Sequence, residues 1–391
     1  MIRPTVARVN LNALQANFRA LREHISRETT TGTPDRPRAP GLIAVVKANA
    51  YGHGAAQVAR ALEDAGADLL ACADIEEGSA LRSAGVRAEI LVFGALSVSD
   101  LEGLFDSRLT PTISTPGAAR AVQAAAAKYK QRVRYHLKID TGMNRLGFRF
   151  DNLRRTLPEL LASPNLDLDA IYTHFATADD PESTLFADQR TRFDAALGDI
   201  NALRGTPALD PRQSGGREPP YLHAANSAAI LRDSRVWYDR VRPGLLLYGL
   251  VPPPLASTVP IAPVMALVSR VVAVKGVRDG ETVGYGGRYH ADGPRQVAIV
   301  PAGYADGLDI RLGGRGALII RGRRAPIVGS VCMDMLMADV TGLDASPGDE
   351  VVFIGRQGDE SIDVREMAAE IGTIPYEIMC RIGSRIQRTY S

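Results

Sequence analysis

The chain contains 391 residues, of which 45% are hydrophobic, so it is long enough to bury a large core in one big domain and a smaller one. Its formal net charge of +2 and the lack of any long basic run give no reason to expect nucleic acid as a partner. With no signal-peptide stretch, no apolar segment of about 18 residues and three widely separated cysteines, we expect a reduced, cytoplasmic protein with no membrane span and no metal site.

From residue 5 to about residue 250, short apolar runs alternate with amphipathic, alanine-rich segments, which is typical of repeated βα units. Strand candidates lie at 44–49, 69–74, 90–94, 110–114, 135–140, 171–175, 221–226 and 242–249. Helical candidates lie at 55–65, 76–84, 99–107, 117–130, 151–163, 185–203 and 227–232. Eight such units predict an α/β fold with a (β/α)8, or TIM, barrel. A doubly wound sheet would show the same alternation, but no GxGxxG motif follows any strand, so the barrel is favoured.

The second half of the chain predicts a separate, mostly-β domain. A proline-rich connector at 251–263 divides a barrel domain, 1–250, from a C-terminal domain, 251–391, in which β-branched runs are separated by Gly/Asp turns and followed by one helix at 363–371. The opening strand candidate, within residues 1–10, precedes the barrel units and is a candidate strand of this second domain. Segments 28–41 and 204–220 are polar and rich in Pro and Gly, and we interpret them as surface insertions.

Lys47 stands at the end of the first barrel strand candidate, directly after an apolar run, 42–46. Burial there lowers the pKa of an ammonium group and favours the free, nucleophilic amine. The structural alternative is a strand-terminal lysine that reaches water. Only five of the 46 basic residues are lysines, so an ordinary surface lysine is a weaker explanation for Lys47.

Polar residues follow several other strand candidates, and in a barrel of this type catalytic groups lie at the carboxyl ends of the strands. Each has a structural alternative: Asp140 as a turn cap, His174 as a core histidine and Ser227 as a helix cap. A hydroxyl and backbone N–H groups near Ser227 and Gly244 are suited to a phosphate, and no P-loop is present. A phosphate site, an amine and an arginine at one barrel mouth fit pyridoxal 5′-phosphate. The residues at or after strand ends are Lys47, Lys138, Asp140, Arg145, His174, Asn226 and Ser227, whereas Arg242, Pro243 and Gly244 begin the eighth strand candidate.

Nine motifs in order along the chain resemble those of the alanine racemase family, the fold-type-III pyridoxal-phosphate enzymes. They are AVVKANAYGHG, KIDTGMNRLGF, THFATADD, HAANSAA, RPGLLLYG, VGYGG, PAGYADG, VCMDM and PYEIMC. The resemblance implies a barrel followed by a β-domain, and a homodimer in which each active site combines the barrel of one subunit with the β-domain of the other. It also implies interconversion of L-alanine and D-alanine, which supplies D-alanine for cell-wall peptidoglycan.

The same resemblance implies the roles of individual residues. Lys47 would bind the cofactor aldehyde, and Lys47 and Tyr285 of the partner subunit would be the two bases, with His174 and Arg242 beside the tyrosine. Arg145 and Met333 would receive the substrate carboxylate. The access path would be lined by Tyr304, Tyr376 and Asp179. The implied cofactor-binding residues are Lys47, Tyr51, His174, Asn226, Ser227, Arg242, Gly244, Leu245 and Tyr376.

Two positions and three alternative activities stay open at this point. Lys138 matches a position that many family members carry as a carbamylated lysine, and its alternative is a salt bridge to Asp140 or another acid. Asn144 stands where glycine is frequent in the family, and because asparagine tolerates positive φ we expect the turn to be retained. The alternative activities are a broad-specificity amino-acid racemase, a fold-III amino-acid decarboxylase and a non-catalytic pyridoxal-phosphate carrier.

Overall fold

The computed structural model describes residues 4–32, 39–96, 100–205 and 220–391. Eight parallel strands form a closed ring in which each strand pairs with the next and the last pairs with the first. The predicted (β/α)8 barrel is therefore confirmed. Labelled along the chain after an opening strand β1 (Val6–Val9), its strands are β2 (Gly41–Val45), β3 (Leu69–Cys72), β4 (Glu89–Val92), β5 (Thr110–Ile113), β6 (Val133–Asp140), β8 (Leu166–Tyr172), β9 (Tyr221–Asn226) and β10 (Arg240–Arg242), with a two-residue strand β7 (Phe148–Arg149) pairing beside β6.

The helices around the barrel differ from the predicted ones in two respects. A long helix, Leu11–Gly32, was not predicted, and it includes the first part of the segment 28–41 that we interpreted as an insertion. The predicted helix 151–163 is two short helices that meet at Pro158, whose missing N–H interrupts the ladder. Residue 99 and most of 204–220 lie outside the described residues. The barrel helices are Leu11–Gly32, Ala55–Asp64, Ile75–Ser83, Glu102–Asp106, Pro116–Lys128, Leu153–Thr156, Pro158–Leu161, Leu185–Leu203 and Ser227–Arg232.

The eighth strand was predicted at 242–249, and this was wrong. The strand is β10, and residues Leu245–Tyr248 form a 3-10 helix. Pro243 has no N–H to donate to a strand ladder, and Gly244 has φ −115° and ψ −86°, outside the strand region. Arg242 therefore ends its strand instead of beginning it, and it lies at the same end of the barrel as the other candidate residues.

The C-terminal domain is mostly β, as predicted. Its ten-stranded sheet has the order β12-β15-β18-β17-β16-β19-β11-β1-β21, with β20 paired to β19. The opening strand β1 pairs antiparallel with β11 and parallel with β21. Helices Val364–Ile371 and Pro375–Arg381 complete the domain. The further strands are β11 (Met265–Arg270), β12 (Ala273–Val277), β13 (Thr282–Val283), β14 (Tyr289–His290), β15 (Arg295–Val300), β16 (Ala317–Ile320), β17 (Arg323–Val328), β18 (Leu336–Asp339), β19 (Glu350–Gln357), β20 (Glu360–Ile362) and β21 (Gln387–Tyr390).

The C-terminal domain contacts the barrel at the turn that follows Lys47. A Cβ added to Gly52 would lie 2.1 Å from the Met379 carbonyl oxygen, so the two backbones touch. The Arg388 guanidinium donates to the carbonyl oxygens of Gly52 (3.0 Å) and Ile382 (2.6 Å). Arg388 thus ties the lysine turn to the second domain. None of the helices described above is long and apolar enough to cross a bilayer.

Candidate active site

The polar residues that follow the strand candidates lie at one end of the barrel. Lys47 comes two residues after β2, and His174 comes two residues after β8. Lys138 lies in the last three residues of β6, and Arg242 is the last residue of β10. Asn226 ends β9, where its side chain accepts a hydrogen bond from Ala229 N at 3.0 Å. Carboxyl ends of parallel barrel strands form one mouth, so these side chains share it.

Lys47 is followed by four residues in a left-handed conformation. Ala48, Asn49, Ala50 and Tyr51 have φ between 51° and 54°. Such a turn costs about 1–2 kcal/mol per non-glycine residue, so the surrounding structure must impose it. Asn49 supplies two of the contacts: its side-chain oxygen accepts from Ala55 N (2.8 Å), and its N–H donates to Glu77 Oε1 (3.3 Å). Strain directly beside a buried-strand lysine indicates a site under functional constraint.

Positive charge is concentrated around the Lys47 amine. Burial, and next the charge of Arg145, lowers the pKa of Lys47. The same two causes, in the same order, lower the pKa of Lys138 to about 8. Burial and the charge of Arg242 hold the pKa of His174 well below 6.5, so its imidazole is neutral. A neutral imidazole and two lysines of lowered pKa, beside the charged Arg145 and Arg242, make a cationic mouth that favours an anionic ligand.

Arg242 is buried and held from three sides. Its Nη2 donates to the carbonyl oxygens of Thr173 and Ala224, both at 2.8 Å, and lies 3.3 Å from His174 Nδ1. Its Nη1 lies 2.8 Å from Nδ1 of His223. Burial lowers the pKa of Arg242 to about 10, so it stays protonated at neutral pH. Its Nε–H is left without a hydrogen bond to any described residue.

A small polar cradle lies between the ends of β9 and β10. The Ser227 hydroxyl accepts hydrogen bonds from the N–H groups of Gly244 (2.9 Å) and Leu246 (3.4 Å). A Cβ on Gly244 would lie 2.4 Å from the Tyr51 hydroxyl, so the glycine is required for this approach. The Tyr376 ring lies 6.0 Å from that of Tyr51. The Ser227 and Tyr51 hydroxyls are suited to a phosphate and the buried, charged Arg242 to a ring nitrogen, so this group of residues fits pyridoxal 5′-phosphate.

Lys138 has no acidic partner among the residues that the structure describes. Asp140 instead caps the following turn, accepting from the N–H groups of Gly142 and Asn144 at 3.0 Å each. The Lys138 amine lies 5.7 Å from the centre of the Tyr172 ring. The salt-bridge alternative for Lys138 is therefore not found. Asn144 has φ 54°, so the expected positive-φ turn is retained.

The remaining candidate residues lie on the exposed surface of the C-terminal domain or at the edge of the barrel mouth. Tyr285 lies on a 3-10 turn and is 77% exposed. Tyr304 and Met333 are exposed on neighbouring loops, where Tyr304 N donates to Cys332 O at 3.0 Å. Arg145 and Asp179 are exposed. The structure of one chain does not bring Tyr285, Tyr304 or Met333 to Lys47.

His136, His223 and Cys380 were not among the predicted site residues. His136 and Lys138 are two residues apart in β6, so their side chains lie on the same face of the strand. A histidine on the same face as Lys138 could have been recognised from this spacing. His223 lies in β9, where its Nδ1 contacts the Arg242 guanidinium. Cys380 lies in helix Pro375–Arg381 near Lys47, where burial raises its thiol pKa against the opposing effect of Lys47.

Comparisons with known proteins identify the family to which the chain belongs. Residues 9–252 match the family model described as "Alanine racemase, N-terminal domain", and residues 264–390 match "Alanine racemase, C-terminal domain". The chain is 40% identical to the alanine racemase of Carboxydothermus hydrogenoformans over 395 residues, covering 100% of both chains. It is also 40% identical to that of Symbiobacterium thermophilum, covering 100% of this chain and 97% of the other.

Solved structures give the same result. The alanine racemase from Streptomyces lavendulae superposes with a TM-score of 0.90 at 31% identity, covering 100% of this chain and 98% of that chain. The alanine racemase from Bacillus anthracis with bound L-Ala-P superposes with a TM-score of 0.85 at 33% identity, covering 100% and 96%. Likeness over the full length includes both the barrel and the β-domain.

Proposed function

The chain belongs to the alanine racemase family of isomerases, and we propose that it interconverts L-alanine and D-alanine with pyridoxal 5′-phosphate and two proton-carrying residues. The observation that carries this proposal is the lysine turn at a cationic barrel mouth, beside the cradle formed by Ser227, Gly244 and Tyr51. We assign this work to a barrel domain, 1–250, and a β-domain, 251–391. The D-alanine product would serve cell-wall peptidoglycan in the cytoplasm.

The cofactor would be held by residues of the barrel mouth together with Tyr376 of the C-terminal domain. Tyr51, Ser227, Gly244, Leu245 and Tyr376 would surround its phosphate, with Asn226 and His174 nearby. When bound, pyridoxal 5′-phosphate supplies an electron sink for the bond between the substrate Cα and its hydrogen. Lys47 would bind its aldehyde, since burial and neighbouring cations favour the free amine.

Arg242 would determine how strong that sink is. A guanidinium donates hydrogen bonds but does not give up its proton at neutral pH, so a ring nitrogen facing Arg242 Nε accepts a hydrogen bond and stays unprotonated. An unprotonated ring withdraws electrons less strongly. Arg242 therefore favours prompt return of a proton to Cα over side reactions such as transamination.

Racemisation requires that one face of Cα lose a proton and the opposite face gain one. The Lys47 Nζ would serve one face, and the hydroxyl of Tyr285 from a second copy of the chain would serve the other. The exposure of Tyr285, Tyr304 and Met333 supports an interface between copies at this surface, because large exposed apolar groups mark association sites. Arg145 and the Met333 N–H would receive the substrate carboxylate. Carbamylation of Lys138 would provide Arg145 with an anionic partner.

The activity is tested by incubating purified holoenzyme with L-alanine in D₂O and following Cα deuteration and D-alanine by chiral chromatography. Neither product from enzyme that holds its cofactor would overturn the proposal. A panel of other amino acids in the same assay separates alanine racemisation from broad-specificity racemisation and decarboxylation. Lys47→Ala should lose covalently bound cofactor.

The two-base arrangement is tested by Tyr285→Phe, which should lower racemisation by about 10²-fold or more while cofactor stays bound. Tyr289→Phe, four residues later at the start of strand β14, is the matched control. Mixed dimers of Lys47→Ala and Tyr285→Phe chains give a sharper result. If the bases come from different chains, half of the sites in a mixed dimer carry neither substitution, and activity returns on mixing. Activity that stays absent in demonstrated mixed dimers would place both bases in one chain.

A further inference from the structure

Two buried histidines connect Arg242 with the opposite end of the barrel. The Arg242 Nη1 lies 2.8 Å from His223 Nδ1, and His223 Nε2 lies 3.1 Å from His136 Nδ1. His136 Nε2 lies 2.7 Å from the Tyr221 hydroxyl and 3.7 Å from Asp169 Oδ2. Both imidazoles are 0% exposed. We refer to His136 and His223 as the buried histidine pair.

Asp169 lies near the amino-terminal ends of the barrel strands. It lies 3.4 Å from Nη1 of Arg134, whose Nη2 donates to Glu89 at 3.1 Å. Arg240 lies 5.2 Å above the Tyr221 ring. The buried histidine pair thus spans the barrel interior, from a charged cluster at one end to the candidate site at the other.

Irregular strand pairing accompanies this connection. In the β6–β8 ladder, Tyr135 pairs with Leu168 and His136 pairs with Ala170, so Asp169 is an extra residue on β8. A β-bulge of this kind re-aims a side chain and is common near active sites. The pairing of β9 with β10 also shifts by one residue, just after His223. The strand pairing is therefore irregular beside both His136 and His223.

The donors and acceptors give the connection one direction. A guanidinium has only N–H donors, so Arg242 donates to His223 Nδ1, and neutral His223 must carry its proton on Nε2. His223 Nε2–H then donates to His136 Nδ1, which places the His136 proton on Nε2. That proton faces the Tyr221 hydroxyl and the Asp169 carboxylate. Arg242 can only donate and the Asp169 carboxylate can only accept. Both ends of the connection therefore require each histidine to carry its proton on Nε2.

Burial keeps both rings in the neutral form that this direction requires. Burial, and next the charge of Arg242, holds the pKa of His223 well below 6.5. Burial also lowers the pKa of His136, although Asp169 acts in the opposite sense. If His223 carried a second proton, its Nδ1–H and the Arg242 Nη1–H would both be donors, and the hydrogen bond between them would be lost.

We propose that Asp169, acting through the buried histidine pair, is a positioning residue that fixes the orientation of the Arg242 guanidinium. With Nη1 directed to His223 and Nη2 to Thr173 O and Ala224 O, the Nε–H is left for a ligand at the barrel mouth. The inference rests on the proposed function in one respect, that Arg242 meets the cofactor ring. The tautomers themselves do not depend on it.

The tautomers are tested by nitrogen NMR of the holoenzyme labelled with ¹⁵N-histidine, with signals assigned through His136→Asn and His223→Asn. Both rings should be neutral with the proton on Nε2, and neither should titrate between about pH 6 and 9. A proton on Nδ1 of either ring, or a titration in that range, would overturn the inference. If the protein lacked racemase activity, the proposed function would fail and this result would still decide the inference.

The coupling to Arg242 is tested by Asp169→Asn, which should lower kcat about tenfold, change the absorbance of the bound cofactor and leave KM for alanine unchanged. Asp167→Asn removes a carboxylate two residues earlier that pairs with Arg132 on the barrel surface, and it should change neither property.

A double-mutant cycle separates this route from a general loss of structure. In a His136→Leu background, Asp169→Asn should have no further effect on kcat because the connection is already broken. His136→Asn retains an acceptor for His223 Nε2–H and should recover most of the loss seen with leucine. An equal Asp169→Asn effect in both backgrounds would show that Asp169 acts by another route, and the proposal would be wrong.

Discussion

Substituting methionine for Lys138 should stabilise the folded protein, because it removes an ammonium group that is only 6% exposed. Burial, followed by the charges of Arg145 and Arg242, lowers the pKa of Lys138 from 10.5 to about 8. This difference corresponds to about 3 kcal/mol of unfavourable free energy in the folded state. Between pH 8 and 10.5 the Lys138 amine is protonated in the unfolded chain but neutral in the folded one. The cost is therefore full below pH 8 and disappears as the pH rises to 10.5.

We expect Lys138→Met to raise the free energy of unfolding of the holoenzyme by up to about 3 kcal/mol at pH 7 in CO₂-free buffer, and by much less at pH 10. Urea denaturation at both pH values measures the two differences. Lys275→Met, at an exposed strand position, is the control and should stay within about 0.5 kcal/mol of the wild type. A difference between Lys138→Met and wild type that is equal at both pH values would refute the reasoning.

The same experiment with added bicarbonate tests carbamylation. CO₂ adds to a neutral lysine amine to form a carbamate and release a proton, which replaces a buried cation by an anion beside Arg145. Bicarbonate should therefore stabilise the wild type and leave Lys138→Met unchanged. No effect on the wild type would exclude this role for Lys138.

Three other substitutions follow from the geometry. Gly244→Ala should weaken cofactor binding about tenfold or more in an absorbance titration, because the new Cβ would lie 2.4 Å from a tyrosine hydroxyl; Gly276→Ala, with nothing within 4 Å, should not. Arg232→Gln should raise KM about threefold or more with a smaller change in kcat, since Arg232 donates to carbonyl oxygens of the loop 177–181. Asn144→Ala should cost about 1 kcal/mol in urea denaturation and Asn144→Gly almost nothing, because this residue has φ 54°.

The barrel and most of the residues at its mouth could be predicted from the sequence because they follow strands with a regular period. Lys47 and His174 each follow such a strand, whereas Arg242 was predicted to begin the strand that it ends. Tyr285 could not be found this way, since it lies on a turn of another domain and nothing in its local pattern distinguishes it. Only the resemblance pointed to it.

Other features depend on long-range contacts that local patterns do not record. The left-handed turn after Lys47 is imposed by Glu77 and Arg388, which are far from it along the chain. The link from Arg242 to Asp169 requires shifted strand pairing, and a β-bulge has no reliable sequence signal.

The helix Leu11–Gly32 was missed although its local pattern was present, since Leu14, Phe18, Leu21 and Ile25 are buried at helical spacing.

The contact of Arg388 with the carbonyl oxygen of Gly52 has a consequence for the order in which the protein matures. During synthesis the eight barrel strands leave the ribosome well before Arg388 does. The strained turn after Lys47 gains its contact with Arg388 only when β21 has been translated. Nascent chains interrupted inside the second domain should therefore have a barrel without a competent lysine turn. Residues at the end of the chain thus complete the turn that carries Lys47, which lies near its beginning.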